Sequence, residues 1–285
     1  MRRAALVLFG DSLTQRSFET GGWGARLADK YCRQADVFCR GYGGYTTRWC
    51  RAMLGDVFDI FPPRDDIVLV VVLFGTNDSA LNHLSLTQHV PIAEYAENLS
   101  TIVSKLRRRS KFVVLVTPPC LHEGRRIVHQ RRRYRKDATG FLERTDSSLS
   151  KYAAVVREVA EYCNVPCLDL FRQTSASVCD GHDFFVDGVH FDKGGQEYFY
   201  NQIIAHFQIQ EMDLFKVPSK LDCPFGLDMR TSKEMWKNLF RDHKRNSVPS
   251  ITSITVSEDM ISATRLFIFW ISTLLCLFIC LSSSR

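Results

Sequence analysis

With 285 residues, 45% of them hydrophobic and 24% charged, the chain is long enough to bury one sizeable core and to leave an appendage over. Its net charge of +6, from 37 basic against 31 acidic residues, is too mild for a general nucleic-acid binder, so nucleic acid is not an expected partner. Ten cysteines include no Cys-x-x-Cys pair, and Cys163 with Cys167 has no second cluster at zinc spacing; they read as mostly reduced, buried thiols of a cytosolic compartment.

In chain order, the apolar run Leu6-Val7-Leu8-Phe9 ends abruptly in Gly10, Asp11, Ser12, Leu13 and Thr14. It reads as a buried first strand that delivers Ser12 to a strand end, where open parallel α/β sheets bind their ligands. A serine there suits a nucleophile, but Ser, Thr and Asp after a strand equally suit a helix N-cap. The stretch by itself leaves both readings open. Arg2 and Arg3 ahead of six apolar residues imitate a secretory signal, yet the run leads straight into Gly-Asp-Ser with no small-residue cleavage site. Secretion is therefore not expected, and the sequon at Asn98-Leu99-Ser100 is expected on a plain helix surface rather than under a glycan.

Trp23, Leu27, Ala28 and Tyr31 fall at helical spacing, and Val37-Phe38 makes a short second strand. Gly41, Gly43 and Gly44 put three glycines in four residues, the mark of a tight turn or of a backbone that approaches something closely. A helix over 47–61 is stopped by Pro62-Pro63. Residues 67–74, Ile-Val-Leu-Val-Val-Val-Leu-Phe, form the strongest strand, suited to the centre of a parallel sheet. It releases Gly75-Thr76-Asn77-Asp78-Ser79, where Asn77 is either a turn residue or an amide donor to a ligand oxygen. A helix over 93–106 closes in Arg107-Arg108-Arg109, favourable at a helix C-terminus, and a fourth strand over 112–117 ends at Pro118-Pro119. An irregular basic loop, a helix over 147–163, a fifth strand over 166–170 and a final helix over 194–207 follow. This alternation predicts a three-layer α/β/α sandwich on a five-stranded parallel sheet of flavodoxin-like order.

Between the last strand and helix lies Asp183-Phe184-Phe185-Val186-Asp187-Gly188-Val189-His190-Phe191-Asp192. Asp187 and His190, three apart, let one turn of chain bring a carboxylate to Nδ1 and leave Nε2 facing a nucleophile such as Ser12. Metal ligation by His182, Asp183, Asp187, His190 and Asp192 lacks a second ligand cluster elsewhere, and an isolated surface pair is a further alternative. No metal or other cofactor is expected. Ser12, Gly44, Asn77 and the Asp187/His190 pair each follow an element that would end on the same edge of the sheet.

The blocks Phe-Gly-Asp-Ser-Leu-Thr (9–14), Arg-Gly-Tyr-Gly-Gly-Tyr-Thr-Thr-Arg-Trp (40–49), Gly-Thr-Asn-Asp (75–78) and Asp-Gly-Val-His (187–190) together resemble the SGNH, or GDSL-type, hydrolases. Tyr-Thr-Thr-Arg-Trp, Val-Thr-Pro-Pro (116–119) and Glu-Arg-Thr-Asp…Lys-Tyr-Ala (143–153) narrow it to the isoamyl acetate-hydrolysing esterase branch, over residues 4 to 208. The resemblance implies the SGNH hydrolase fold, with Ser12 as nucleophile, His190 as general base and Asp187 orienting it. It implies an oxyanion hole from the backbone N–H groups of Ser12 and Gly44 and the side-chain amide of Asn77. Cys39 and Gly43 stand where the family usually has asparagine and serine, which puts the rigidity of the oxyanion loop in question. No Gly-x-Ser-x-Gly elbow occurs, against a classical α/β-hydrolase.

Two stretches depart from that pattern. Arg125, Arg126, Arg131, Arg132, Arg133, Arg135 and Lys136 place seven cations in twelve residues without an acid: a solvated loop, or a patch attracted to an anionic membrane surface. Residues 246–264 hold eight Ser or Thr in nineteen, a linker composition, and 266–281 are sixteen residues without a charge. At a span of about 24 Å this segment suits a thin membrane, of the endoplasmic reticulum or the mitochondrial outer membrane. Arg241, Lys244, Arg245 and Arg265 before it against Arg285 after it orient the rest of the chain to the cytosol. Expected domains are thus a hydrolase domain over 1–212, a linker over 213–265 in which Met235, Trp236, Leu239 and Phe240 make an amphipathic stripe, and a transmembrane tail anchor over 266–282. The expected activity is a serine esterase acting on small-molecule or lipid esters. Lysophospholipase, acyltransferase, and an interaction protein on an inactive hydrolase fold are the alternatives.

Overall fold

The computed structural model describes residues 4–32, 34–61, 67–85, 87–135 and 140–210. The expected linker, its amphipathic stripe and the tail anchor lie outside these residues, and among the described residues no helix is long and apolar enough to cross a membrane.

Five strands form one parallel sheet: β1 Ala4–Gly10, β2 Ala35–Gly41, β3 Ile67–Leu73, β4 Phe112–Val116 and β5 Cys167–Leu168, in the order β2-β1-β3-β4-β5. This is the flavodoxin-like order expected. β3 shows why the unbroken apolar run folds this way: Val70 and Val72 face one core, while Leu69, Val71 and Leu73 face the other. A two-residue side-chain period demands apolar residues at every position when both faces are covered. Register aligns the carboxyl ends, with Gly10 opposite Gly41 on one side and Leu73 on the other. The polar segments after β1, β2 and β3 therefore emerge together.

Nine α-helices surround the sheet in the described residues: α1 Ser12–Gln15, α2 Trp23–Lys30, α3 Thr47–Ala52, α4 Leu54–Phe58, α5 Ile92–Arg107, α6 Glu123–Tyr134, α7 Asp146–Tyr162, α8 Leu170–Cys179 and α9 Lys193–Ile209. On one face α5 presents Tyr95, Leu99, Ile102 and Leu106, and α7 adds Tyr152, Val156 and Val159. On the other, α9 presents Phe199, Ile203 and Phe207, one turn apart, with the ring of Trp23 of α2 tilted against that of Phe199 at a centroid distance of 4.5 Å. Burying each such side chain contributes about 1.5–3 kcal/mol, so these stripes hold the layers to the sheet.

Several expectations need correction. The helix over 47–61 breaks at Met53, whose backbone (φ −90°, ψ 7°) turns Leu54, Val57 and Phe58 of α4 into the core. The fifth strand shrinks to two residues because Asp169 caps α8, accepting from the Arg172 N–H at 3.2 Å. The basic stretch 125–136 is helical through Tyr134, as α6. Its only aliphatic side chains are Ile127 and Val128, so polar anchors rather than an apolar stripe hold it: Arg126 pairs with Glu143, and Arg125 donates to the Phe185 carbonyl at 2.9 Å. Asn98, expected on a helix surface, is buried in α5, where it donates to Thr47 Oγ1 and accepts from Arg51 at 3.0 Å.

Candidate active site

Asp11, not Ser12, takes the capping role that the sequence offered to either. Its Oδ1 accepts the Leu13 N–H at 2.9 Å, so Asp11 caps α1 and Ser12, the first residue of that helix, is free of the task. The Ser12 hydroxyl lies 2.9 Å from His190 Nε2. Asp11 is wholly buried, and burial pushes its carboxyl up to about 7 against the Leu13 N–H bond, with Asp78 adding to the rise. Asp78 is pushed up to about 7 by the same desolvation, although it accepts from both the hydroxyl and the N–H of Thr47.

Asp187 and His190 sit in a loop closed by the Phe185–Phe191 bridge and by Val186 N–H donating to His190 C=O at 2.8 Å. Asp187 Oδ1 accepts the N–H groups of Val189 and His190 at 3.0 and 2.9 Å, and Oδ2 lies 2.8 Å from His190 Nδ1. Burial works to raise the Asp187 pKa, but the bonds from the His190 ring and from the two amides outweigh it and hold the carboxyl below its ordinary range. Arg126 and His129 of α6 stand 3.7 and 4.0 Å from Oδ2. Gly188, at φ +88°, lets α6 dock: a Cβ there would meet Arg126 N at 2.5 Å and His122 O at 2.6 Å. The other members of the alternative metal set are engaged separately. Asp183 pairs with Arg125, Asp192 caps α9 through the Gly195 N–H, and His182 Nδ1 meets Ser177 O at 3.2 Å. Among the described residues no group is placed to hold a metal ion.

Gly44 and Asn77 line the same cleft as Ser12 and His190, a space of about 770 Å³. Gly44 adopts φ +80°, which a side chain would strain. The two departures from the family pattern have local supports: the Cys39 thiol donates to Thr14 O at 3.3 Å, and Gln15 Oε1 accepts the Gly43 N–H at 2.6 Å. Asn77 Nδ2 donates to Tyr45 O at 2.8 Å. Gln15, Gln88 and Arg144 also line the cleft and escaped the sequence reading as site residues, while Arg126, another lining residue, was legible only as a member of the basic stretch. Arg144 lies in the quoted Glu-Arg-Thr-Asp block, whereas nothing around Gln88 marks it.

A family model described as the GDSL-like Lipase/Acylhydrolase family matches residues 8–198. The chain belongs to this family. Like its relatives, this GDSL-family chain is a carboxylic ester hydrolase. A GDSL esterase/lipase of Arabidopsis thaliana is 36% identical over 212 residues, 72% of this chain and 86% of the relative. The isoamyl acetate-hydrolyzing esterase 1 homolog of Mus musculus is 36% identical over 198 residues, 68% of this chain and 78% of the relative. The crystal structure of the lipase/acylhydrolase from Enterococcus faecalis superposes with a TM-score of 0.55 at 26% identity, covering 74% of this chain and 97% of its own. The SGNH-type three-layer fold is thus common to the GDSL-family chain and its structural neighbours.

Proposed function

We propose that the chain hydrolyses esters of short acyl groups through an acyl-serine formed on Ser12. The observation that carries this reading is the hydrogen-bonded line from the Ser12 hydroxyl through His190 to Asp187, at 2.9 and 2.8 Å. An ionised carboxylate only accepts, so His190 Nδ1 holds the proton and Nε2 keeps a lone pair for Ser12. As the Ser12 oxygen attacks the ester carbonyl, its proton passes to Nε2 and the fixed Asp187 anion stabilises the imidazolium. The carbonyl oxygen, now negative, is taken by the N–H groups of Ser12 and Gly44 and by the second hydrogen of Asn77 Nδ2. Donors of this kind are worth about 3–4 kcal/mol each. The tetrahedral species collapses, the C–O bond breaks and the alcohol leaves with the proton from Nε2. Water then repeats the sequence on the acyl-serine, releasing the acid and restoring Ser12.

The lining of the cleft favours short acyl groups. Its aliphatic members are Leu84 and Val189 and its one aromatic is Tyr134; the rest are glycine, polar or charged. A long chain gains about 0.8 kcal/mol per CH₂ only against apolar walls. The test compares esters from acetate to palmitate and labelling by a fluorophosphonate, in wild type and Ser12→Ala. Rapid turnover of short esters and labelling lost in Ser12→Ala support the reading; a wild type that neither labels nor hydrolyses any ester refutes it. Fastest turnover of palmitate would favour a lipid acyl hydrolase instead.

We also propose that residues 266–282 tether the enzyme to a membrane with its catalytic residues on the cytosolic side. Support comes from the charge-free run and the cations that precede it. Deleting residues 262–285 should move the protein to the soluble fraction, and continued pelleting would count against the tether.

A further inference from the structure

Gln88 and Arg144 stand outside the line from Ser12 to Asp187, yet both line its cleft. Arg144 is only 5% exposed, and burial lowers its pKa while the charge of Glu143 opposes the shift. It remains a guanidinium, able to donate and never to accept. One of its terminal nitrogens donates to Gln88 Oε1 at 2.8 Å and the other lies 3.3 Å from Glu143 Oε1. Gln88 Nε2 in turn donates to Gly44 C=O at 3.2 Å and to Asn77 Oδ1 at 3.5 Å. The loop carrying Gln88 is pinned to the same neighbourhood, Leu81 N–H donating to Glu143 C=O at 2.7 Å.

We propose that Gln88, locked by Arg144, is a positioning residue that fixes the orientation of the Asn77 amide and holds the backbone at Gly44. The inference rests on the reading of Gly44 and Asn77 as the oxyanion donors. A carboxamide has two ends of nearly equal size, so shape alone does not orient it. Arg144 offers only donors, and so Gln88 must turn its oxygen to Arg144 and its NH₂ to Asn77. That NH₂ requires the Asn77 oxygen to face it, which puts the Asn77 NH₂ on the other side. One of those hydrogens satisfies Tyr45 C=O. The second is left for the substrate oxygen. A flipped Asn77 would set its oxygen against Tyr45 C=O and its NH₂ against that of Gln88, and would present an acceptor to the developing negative charge.

Gln88→Glu is the decisive variant, because it keeps an acceptor for Arg144 and replaces the NH₂ by a second acceptor aimed at Gly44 C=O and Asn77 Oδ1. In the full chain, kcat should fall about 10- to 100-fold, short of the roughly 100- to 1000-fold cost of removing an oxyanion donor outright. KM should hold within about twofold, as expected when an interaction made only in the transition state is lost. In an Asn77→Ala background the same substitution should cost several-fold less, since the group it orients is gone. Arg144→Lys, which keeps a donor, should retain more activity than Arg144→Met. An unchanged kcat in Gln88→Glu, a loss confined to KM, or equal losses in both backgrounds overturns the clamp. Ser12→Ala in the same assay reports on the esterase reading separately, so an active wild type with an indifferent Gln88→Glu removes the clamp and leaves that reading standing.

Discussion

The two sides of the cleft are assembled on different length scales. Asp187 and His190 share one loop, and the carboxylate that orients the imidazole is itself held by the N–H groups of Val189 and His190. Across the cleft, Gly44, Asn77, Gln88 and Arg144 come from four separate segments, joined by side-chain bonds of 2.8 to 3.5 Å. A local turn carries its geometry wherever it is placed, as long as Gly188 lets α6 dock behind it. The distributed side depends on the register of β1, β2 and β3, which brings their ends level.

Substitutions at the meeting point of the two sides should cost most. Ser12→Ala is expected to lower kcat by roughly 10⁴- to 10⁶-fold, read in a steady-state ester assay, since on the proposed mechanism it removes the bond-forming atom. Asp187→Asn should cost about 10⁴-fold with the fold retained, because an amide no longer dictates which imidazole nitrogen holds the proton. A loss under tenfold would mean that the loop alone orients His190. Asn77→Ala should cost about 100- to 1000-fold in kcat, with a melting temperature near that of wild type. If Asn77→Ala proved as damaging as Ser12→Ala, the distributed side would be holding the nucleophile as well as the oxyanion.

The same contrast explains what the sequence disclosed. β3 was legible because burial on both faces leaves no polar position in Ile67–Leu73, and α7 because Tyr152, Val156 and Val159 repeat at helical spacing. Asp187 and His190 were legible because three residues of spacing are enough to make the pair meet. α6 was not, since a helix with two aliphatic residues announces nothing. Its anchors, Glu143 and Phe185 C=O, lie 17 and 60 residues away. Asn98 was misplaced for a similar reason: the partners that bury it, Thr47 and Arg51, belong to α3. Gln88 is held by Arg144, 56 residues on, and no local pattern encodes such a pairing. The register of the sheet makes the sites at the strand ends converge, while the orientation of each amide emerges only in three dimensions.

The smallest expected effect concerns stability, and it separates the two sides by the sign of their pH dependence. Asp187 has its pKa held down, so the stability it contributes is present above the ordinary carboxylate pKa of 3.8 and is lost as pH falls below it. Asp11 and Asp78, beside Ser12 and Asn77, are raised to about 7. For them the folded state binds protons more tightly than the unfolded chain, so their contribution is full below about 3.8 and is lost as pH rises through about 7. Between those limits Asp187 is silent and the buried pair titrates. His206, whose pKa burial lowers, acts in the opposite sense and flattens the wild-type profile in part. Asp78→Asn keeps an acceptor for the Thr47 N–H and removes one of the two titrating acids, leaving His206 as it was. Its melting temperature should therefore fall less steeply across that window, by a few degrees at roughly 2–4 °C per kcal/mol for a domain of this size. Thermal unfolding followed at several pH values in both proteins decides the matter. Parallel profiles would mean that Asp78 is ionised in the native state, and the distributed side would then rest, like the local one, on a fixed negative charge.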